Sequence, residues 1–350
     1  MHAASATTEI QLSIHGTEMT FTTNSRELAH SVESLLRHFS CHVSCHGVTT
    51  QPLQLQFYAV QHRRDIPVRV SSKALLLHSG SGLVLGCASH ATWRCDIYSA
   101  QGVLFADFHE EGLVVIDGRS LSAQGYLVRP EDMSPDIRNS FVHFAMTELL
   151  KRCGIFTFHA TALEYKGKGV LIPGFSGRGK TTSFLSLLRA GYRYLSDDHP
   201  FFRETDSGVE LLPYPLRINV TDQTVSFFPE LRNAPPSLLH SGTPKRYFYA
   251  EDLYSNPLGQ SCKPAVILFP TVVDSPHSCL EPLSKKLAME MILPHSLLVY
   301  EPEVAREEFK ALVRLIQETD CYRLHFGRDV LDLPWLVTPL LDNHSMKKAS

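Results

Sequence analysis

Residues 174–181 read Gly-Phe-Ser-Gly-Arg-Gly-Lys-Thr, which fits the spacing G-x-x-x-x-G-K-[ST] of a phosphate-binding loop. Gly174, Gly177 and Gly179 admit backbone conformations closed to other residues, so successive N–H groups can turn inward around an anion. Gly179 stands where a helix opens, and the unpaired N–H groups and positive dipole end of that helix add to the same site. The spacing places Lys180 to meet the β- and γ-phosphates of a nucleotide and the Thr181 hydroxyl to meet Mg²⁺. Phe175, Ser176, Arg178 and Thr182 complete the stretch that would wrap it.

Such a turn needs a strand before it and a helix after it. Residues 169–173 are a short apolar run that predicts the strand. Residues 180–190 put Phe184, Leu185, Leu187 and Leu188 on a buried helix face, with Gly191 as the C-terminal cap. A helix of about a dozen residues advances roughly 18 Å, and the extended run 192–196 returns by roughly 16 Å. A right-handed crossover then sets this second strand parallel to the first, with its end on the edge that carries the loop. Asp197 and Asp198 stand at that end. The plainer alternative is a glycine-rich turn with two surface aspartates at a helix-strand junction.

His159-Ala160, the stretch GVLIPGFSGRGKTT and the stretch GYRYLSDD together resemble the catalytic core of the HPr kinase/phosphorylase-like kinases. These pair a histidine on the preceding strand, a phosphate loop and an Asp-Asp dyad. The resemblance is specific over residues 155–220 and diffuse from there to the C-terminus. Asp197-Asp198-His199 is also similar to a DDxH-like element of the phosphoenolpyruvate carboxykinases, which are longer chains with further metal ligands. Beyond the dyad the chain reads LLPYPLRINVT at 211–221, where true HPr kinases carry a glycine-containing apolar stretch. In this it looks more like a divergent branch that phosphorylates other hydroxyls, including free serine and serine in peptide natural-product precursors.

The resemblance implies an α/β fold with a P-loop kinase core of the HPr kinase/PEP carboxykinase type on a mixed sheet. It implies ATP and Mg²⁺ as cofactors, and transfer of the γ-phosphate to a hydroxyl, such as serine of a peptide or protein or a small molecule. By the same resemblance Asp197 is the base oriented by His159, Asp198 joins Thr181 on the metal, and Lys180 holds the triphosphate. Relatives are often oligomers, so a homo-oligomer is an open expectation. Two rival readings are a nucleotide-binding switch that transfers no phosphate and a carboxykinase-like lyase.

Arg217, after the two prolines of Leu212-Pro213-Tyr214-Pro215, is a candidate phosphate clamp, and Lys245-Arg246 a second one. Residues 233–256, rich in Pro, Ser and Gly, suggest a substrate-facing loop.

With 350 residues, 43% of them hydrophobic, the chain can build two cores. Its formal net charge of −3 gives no basic excess, so neither nucleic acid nor an anionic membrane is suggested as a partner. The first residues lack a secretory pattern and no run approaches a membrane span, so a cytoplasmic location is expected. Eight scattered cysteines suit reduced thiols. Cys41-His42-Val43-Ser44-Cys45-His46 could seed a zinc site but lacks a second ligand pair at metal spacing.

Residues 1–130 read as a β-rich α+β domain, a platform for substrate or self-association. A hairpin turns at His15-Gly16-Thr17, a helix opens at Asn24-Ser25-Arg26-Glu27 with Leu28, Val32, Leu35 and Leu36 inward, and short, mostly antiparallel strands follow, among them 68–70 and 83–86. The polar, two-proline stretch 130–135 marks the boundary to a kinase domain over 131–345, which begins with a helix at 136–153. His159 is expected on a strand at 155–159. Further on, a buried strand at 265–269 ends at Pro270, helices cover 283–292, 304–319 and 335–341, and the tail is frayed.

Overall fold

The computed structural model describes residues 7–39, 51–81, 94–175, 177–236, 244–296 and 300–347, and the chain divides into two compact units, Met1–Cys153 and Gly154–Ser350. In the first unit, alternation such as LQLQF gives strands with one face inward, so Leu53, Leu55 and Phe57 are fully buried along Leu53–Val60. Eight strands form one sheet in the order Thr8–Ile14, Thr17–Thr23, Leu53–Val60, Ser122–Val128, Gly112–Asp117, Val103–Asp107, Arg94–Ala100, Leu75–Ser81. Pairing is antiparallel except on the two sides of Leu53–Val60, where it is parallel. The first hairpin turns through His15 and Gly16, both left-handed at φ 51° and 85°, the geometry that matches strand twist.

Helix Arg26–Leu35 starts on Ser25, whose Oγ accepts the N–H of Leu28, and its inner face is Leu28, Val32 and Leu35. Residues 68–70 lie outside any strand, and 83–86 lie outside the described residues. The helix Pro135–Arg152 groups with this first unit, where Phe141 and Phe144 set their rings edge-on to Phe108. The expected boundary at 130/131 therefore falls one helix ahead of the division between the compact units.

The second unit is built on a six-stranded mixed sheet in the order Arg193–Ser196, Ala160–Tyr165, Lys168–Pro173, Lys263–Val272, Asp320–Phe326, Cys279–Pro282. Lys168–Pro173, Lys263–Val272 and Asp320–Phe326 run parallel, and the other pairings are antiparallel. Val170 and Ile172 join one core with Phe184 and Leu187 of helix Lys180–Arg189 and with Leu333 and Val337 of helix Leu333–Lys347. Leu171, pointing the other way, joins a second core with Ala288 of helix Lys285–Ile292 and Leu312 and Leu315 of helix Pro302–Glu318. This sandwiching of a mixed sheet between helices is an α/β architecture.

Several expectations are corrected here. The returning strand Arg193–Ser196 does run in the direction of Lys168–Pro173, but Ala160–Tyr165 lies between them, antiparallel to both. Strand Lys263–Val272 continues through Pro270, because its ladder with Lys168–Pro173 ends at Ile267 and leaves one side without ladder bonds there. The helix expected at 335–341 extends to Lys347 with Pro339 inside it. Within the expected loop at 233–256, Lys245–Phe248 is a strand paired with Ile218–Thr221, and Ala250–Leu253 is a turn of helix.

Candidate active site

The loop between Lys168–Pro173 and Lys180–Arg189 has the backbone that its glycines predict at two of three positions. Gly177 and Gly179 are left-handed at φ 80° and 89°; Gly174 is buried without that conformation, and a Cβ there would meet Pro270 and Arg178 at ordinary contact distance. Gly179 caps the helix, and the first helical bond runs from the Ser183 N–H to the Gly179 carbonyl at 2.8 Å. A methyl group on Gly179 would stand 3.0 Å from the ring of Phe326, so both conformation and space require glycine. At the far end, Gly191 is left-handed, its N–H bonds Leu188 O, and the Tyr192 N–H bonds Leu187 O, a Schellman cap that turns the chain into the dyad strand. Phe175 and Arg178 are exposed on the loop, and Ser176 lies outside the described residues.

Ala160–Tyr165, the strand inserted in the crossover, is what assembles the chemistry. The Ala160 N–H donates to the Asp198 carbonyl at 3.1 Å and the Thr161 hydroxyl to the Asp197 carbonyl at 2.9 Å. His159 therefore sits beside the dyad, at the bend before this strand rather than within the strand expected at 155–159.

Lys180 is buried, and its ammonium lies 3.0 Å from His159 Nε2 and 3.0 Å from Asp198 Oδ1. Burial, and then the Lys180 charge, push His159 down to about 4, so at neutral pH its uncharged Nε2 accepts a Lys180 proton. Asp198 remains 45% exposed at its side chain. Burial raises its pKa, but Lys180 and the neighbouring histidines outweigh this and hold the carboxyl well below the usual carboxylate range.

Asp197 is in the opposite state. It is only 4% exposed, its Oδ1 accepts no hydrogen bond among the described residues, and the Asn219 N–H is a donor to it. Burial first, then the Asp198 charge, raise it to about 7, against the pull of Lys180 and Lys245. Two adjacent carboxyls are thus separated into a permanent anion and a group that titrates near neutrality, the arrangement used when one acid holds charge and the other moves a proton.

The remaining residues fall into two groups. Thr181 and Thr182 are both partly exposed at the helix start, and the Thr182 hydroxyl lies 3.3 Å from that of Thr224. Arg217 lies over the Tyr247 ring, 5.3 Å from its centre, and Arg246 pairs with Asp222 at 2.8 Å. The Lys245 charge acts on both Asp197 and His159.

His295 had no sequence signal, since only tertiary pairing brings it here. Its carbonyl accepts the His159 N–H at 2.7 Å, its buried ring lies 4.3 Å from Phe175, and burial pushes it down to about 4. His199 is buried with its ring 5.9 Å from that of His159.

Among the described residues no three His, Cys, Asp or Glu side chains are clustered to hold a metal by themselves, and Cys41 to His46 lie outside those residues. An ionised Asp198 beside Lys180, with the next residue Thr181 partly exposed at the helix start, suits Mg²⁺, which is characteristically held by one or two protein groups together with substrate phosphates. Among the described residues no helix is long and apolar enough to cross a membrane.

No family model matches the chain. It is 33% identical over 72 residues to the HPr kinase/phosphorylase of Lactobacillus acidophilus, a match covering 21% of this chain and 21% of that protein. The structure of the Hpr(Ser) kinase/phosphatase from Coxiella burnetii aligns with 55% of this chain and 99% of its own at 14% identity, with a TM-score of 0.28. The chain thus shares a short stretch of sequence similarity with a kinase/phosphorylase, on a mixed α/β scaffold of its own.

Proposed function

We propose that this protein is an ATP-dependent phosphotransferase that passes the γ-phosphate to a hydroxyl, with the acceptor a serine of a peptide or protein or a small molecule. The observation that carries the reading is the contact of Lys180 with Asp198 and His159 directly behind a loop with left-handed glycines, with Asp197 poised near neutrality alongside.

Backbone N–H groups of 174–180 receive the phosphates, and Lys180 exchanges its bond to Asp198 for one to the β- and γ-phosphate oxygens. Mg²⁺, when bound through Thr181 and Asp198, would neutralise charge on those same oxygens. Asp197 accepts the proton of the attacking hydroxyl as the oxygen bonds to the γ-phosphorus; the bond from that phosphorus to the β-bridging oxygen breaks, and ADP leaves. His159, uncharged, holds the Lys180 ammonium in line and so positions rather than transfers. The similarity to a protein named HPr kinase/phosphorylase favours a protein or peptide acceptor over the lyase reading.

Incubation of the full chain with γ-labelled ATP, Mg²⁺ and separate pools of peptides, proteins and hydroxylated metabolites tests this. Label on an acceptor in one pool supports the reading. Tight ATP binding with label in none, and none released as phosphate, favours a nucleotide switch.

A further inference from the structure

We propose that Lys245 is a second phosphate-binding cation of this site, contacting the transferring γ-phosphoryl group. This rests on the phosphotransferase reading and names a residue that the loop motif does not contain.

Lys245–Phe248 pairs antiparallel with Ile218–Thr221, with Asn219 opposite Tyr247 and Thr221 opposite Lys245. Ile218, Val220 and Phe248 are buried in the core, and Arg246 turns to Asp222. Residues 219, 221, 245 and 247 therefore share the other face of this ribbon, and all four are partly exposed. That ribbon is fixed to the site at two points. The Asn219 N–H reaches the Asp197 carboxylate. Thr221 Oγ1 lies 3.1 Å from Thr224 Oγ1, which in turn lies 3.3 Å from Thr182 Oγ1 at the start of the phosphate-loop helix.

Through these links Lys245 is carried on the Asp197 side of the site, and its charge acts on Asp197 and His159. Among the described residues no hydrogen bond or ion pair occupies its ammonium, whereas Arg246 is consumed by Asp222 and by the carbonyls of Arg232 and Ala234. A half-buried lysine whose charge acts on the base, on a ribbon tied to the site and without a carboxylate partner among the described residues, suits the charge that builds up on the phosphoryl oxygens as the acceptor attacks.

Calorimetric titration of the full chain with Mg²⁺ and either ADP or a non-hydrolysable ATP analogue separates the two cations. Lys180→Ala should weaken both nucleotides. Lys245→Ala should weaken the triphosphate about tenfold and leave the diphosphate within about twofold, with Lys245→Arg recovering most of the loss. Equal loss for both nucleotides, or no loss for either, overturns the assignment of Lys245 and leaves nucleotide binding standing. A wild-type chain that binds neither nucleotide overturns the phosphotransferase reading and this assignment with it. A thermal melt of each variant confirms that the fold is retained.

Discussion

Asp197 and Asp198 are consecutive, yet the protein gives them opposite electrostatic settings. Asp198 faces Lys180 at 3.0 Å and stays ionised, while Asp197 is buried behind it and raised to about 7. Below about pH 7 Asp197 carries a proton and cannot take another, so transfer should accelerate as pH rises through neutrality; a flat pH–rate profile there contradicts the assignment. Asp197→Asn should cost about 10²–10⁴ in kcat with nucleotide affinity retained, as measured by labelled transfer and titration. The same shift has a stability consequence. The folded chain binds this proton more tightly than the unfolded chain, so the group's contribution is complete below the ordinary carboxyl range, about 4, and is lost as pH rises from there through about 7. Asp197→Asn should therefore melt a few degrees above wild type at about pH 8 and close to it only below about pH 4, by calorimetry. His159 runs the other way: its depressed value favours the neutral ring, so its contribution is lost as pH falls towards about 4.

At the level of elements, the helix Lys180–Arg189 is bounded by two left-handed glycines with different duties. A Cβ on Gly191 would meet nothing within 4 Å, so Gly191→Ala should cost only the conformational penalty, about 1–2 kcal/mol in denaturant unfolding, with nucleotide binding intact. Gly179→Ala adds a clash with Phe326 inside the cradle and should also weaken nucleotide binding at least about tenfold in the same titration. Both glycines were legible in the sequence because turns, caps and the apolar face of Phe184, Leu187 and Leu188 are local matters of φ and period. What sequence could not supply was long-range pairing. Nothing local announces that Ala160–Tyr165 inserts into the crossover, that His295 offers its carbonyl to His159, or that the Lys245 charge bears on Asp197. These follow from pairings between residues far apart in the chain, where one shift of strand register exchanges faces.

Across the molecule, a β-rich unit and an α/β unit each enclose their own apolar interior, and the proposed chemistry belongs wholly to the second. There the candidate site occupies the end of the sheet where the glycine-rich loop leaves Lys168–Pro173 and Asp197-Asp198 follow Arg193–Ser196, an edge at which α/β proteins commonly bind ligands. The first unit is built on its own eight-stranded mixed sheet. All of the functional reading depends on a triphosphate displacing Asp198 from Lys180. Calorimetric titration of Mg·ATP into wild type and Lys180→Ala measures this directly. The account predicts saturable binding by wild type, weakened at least about tenfold by the substitution; no binding by wild type, or equal binding by both, would contradict it.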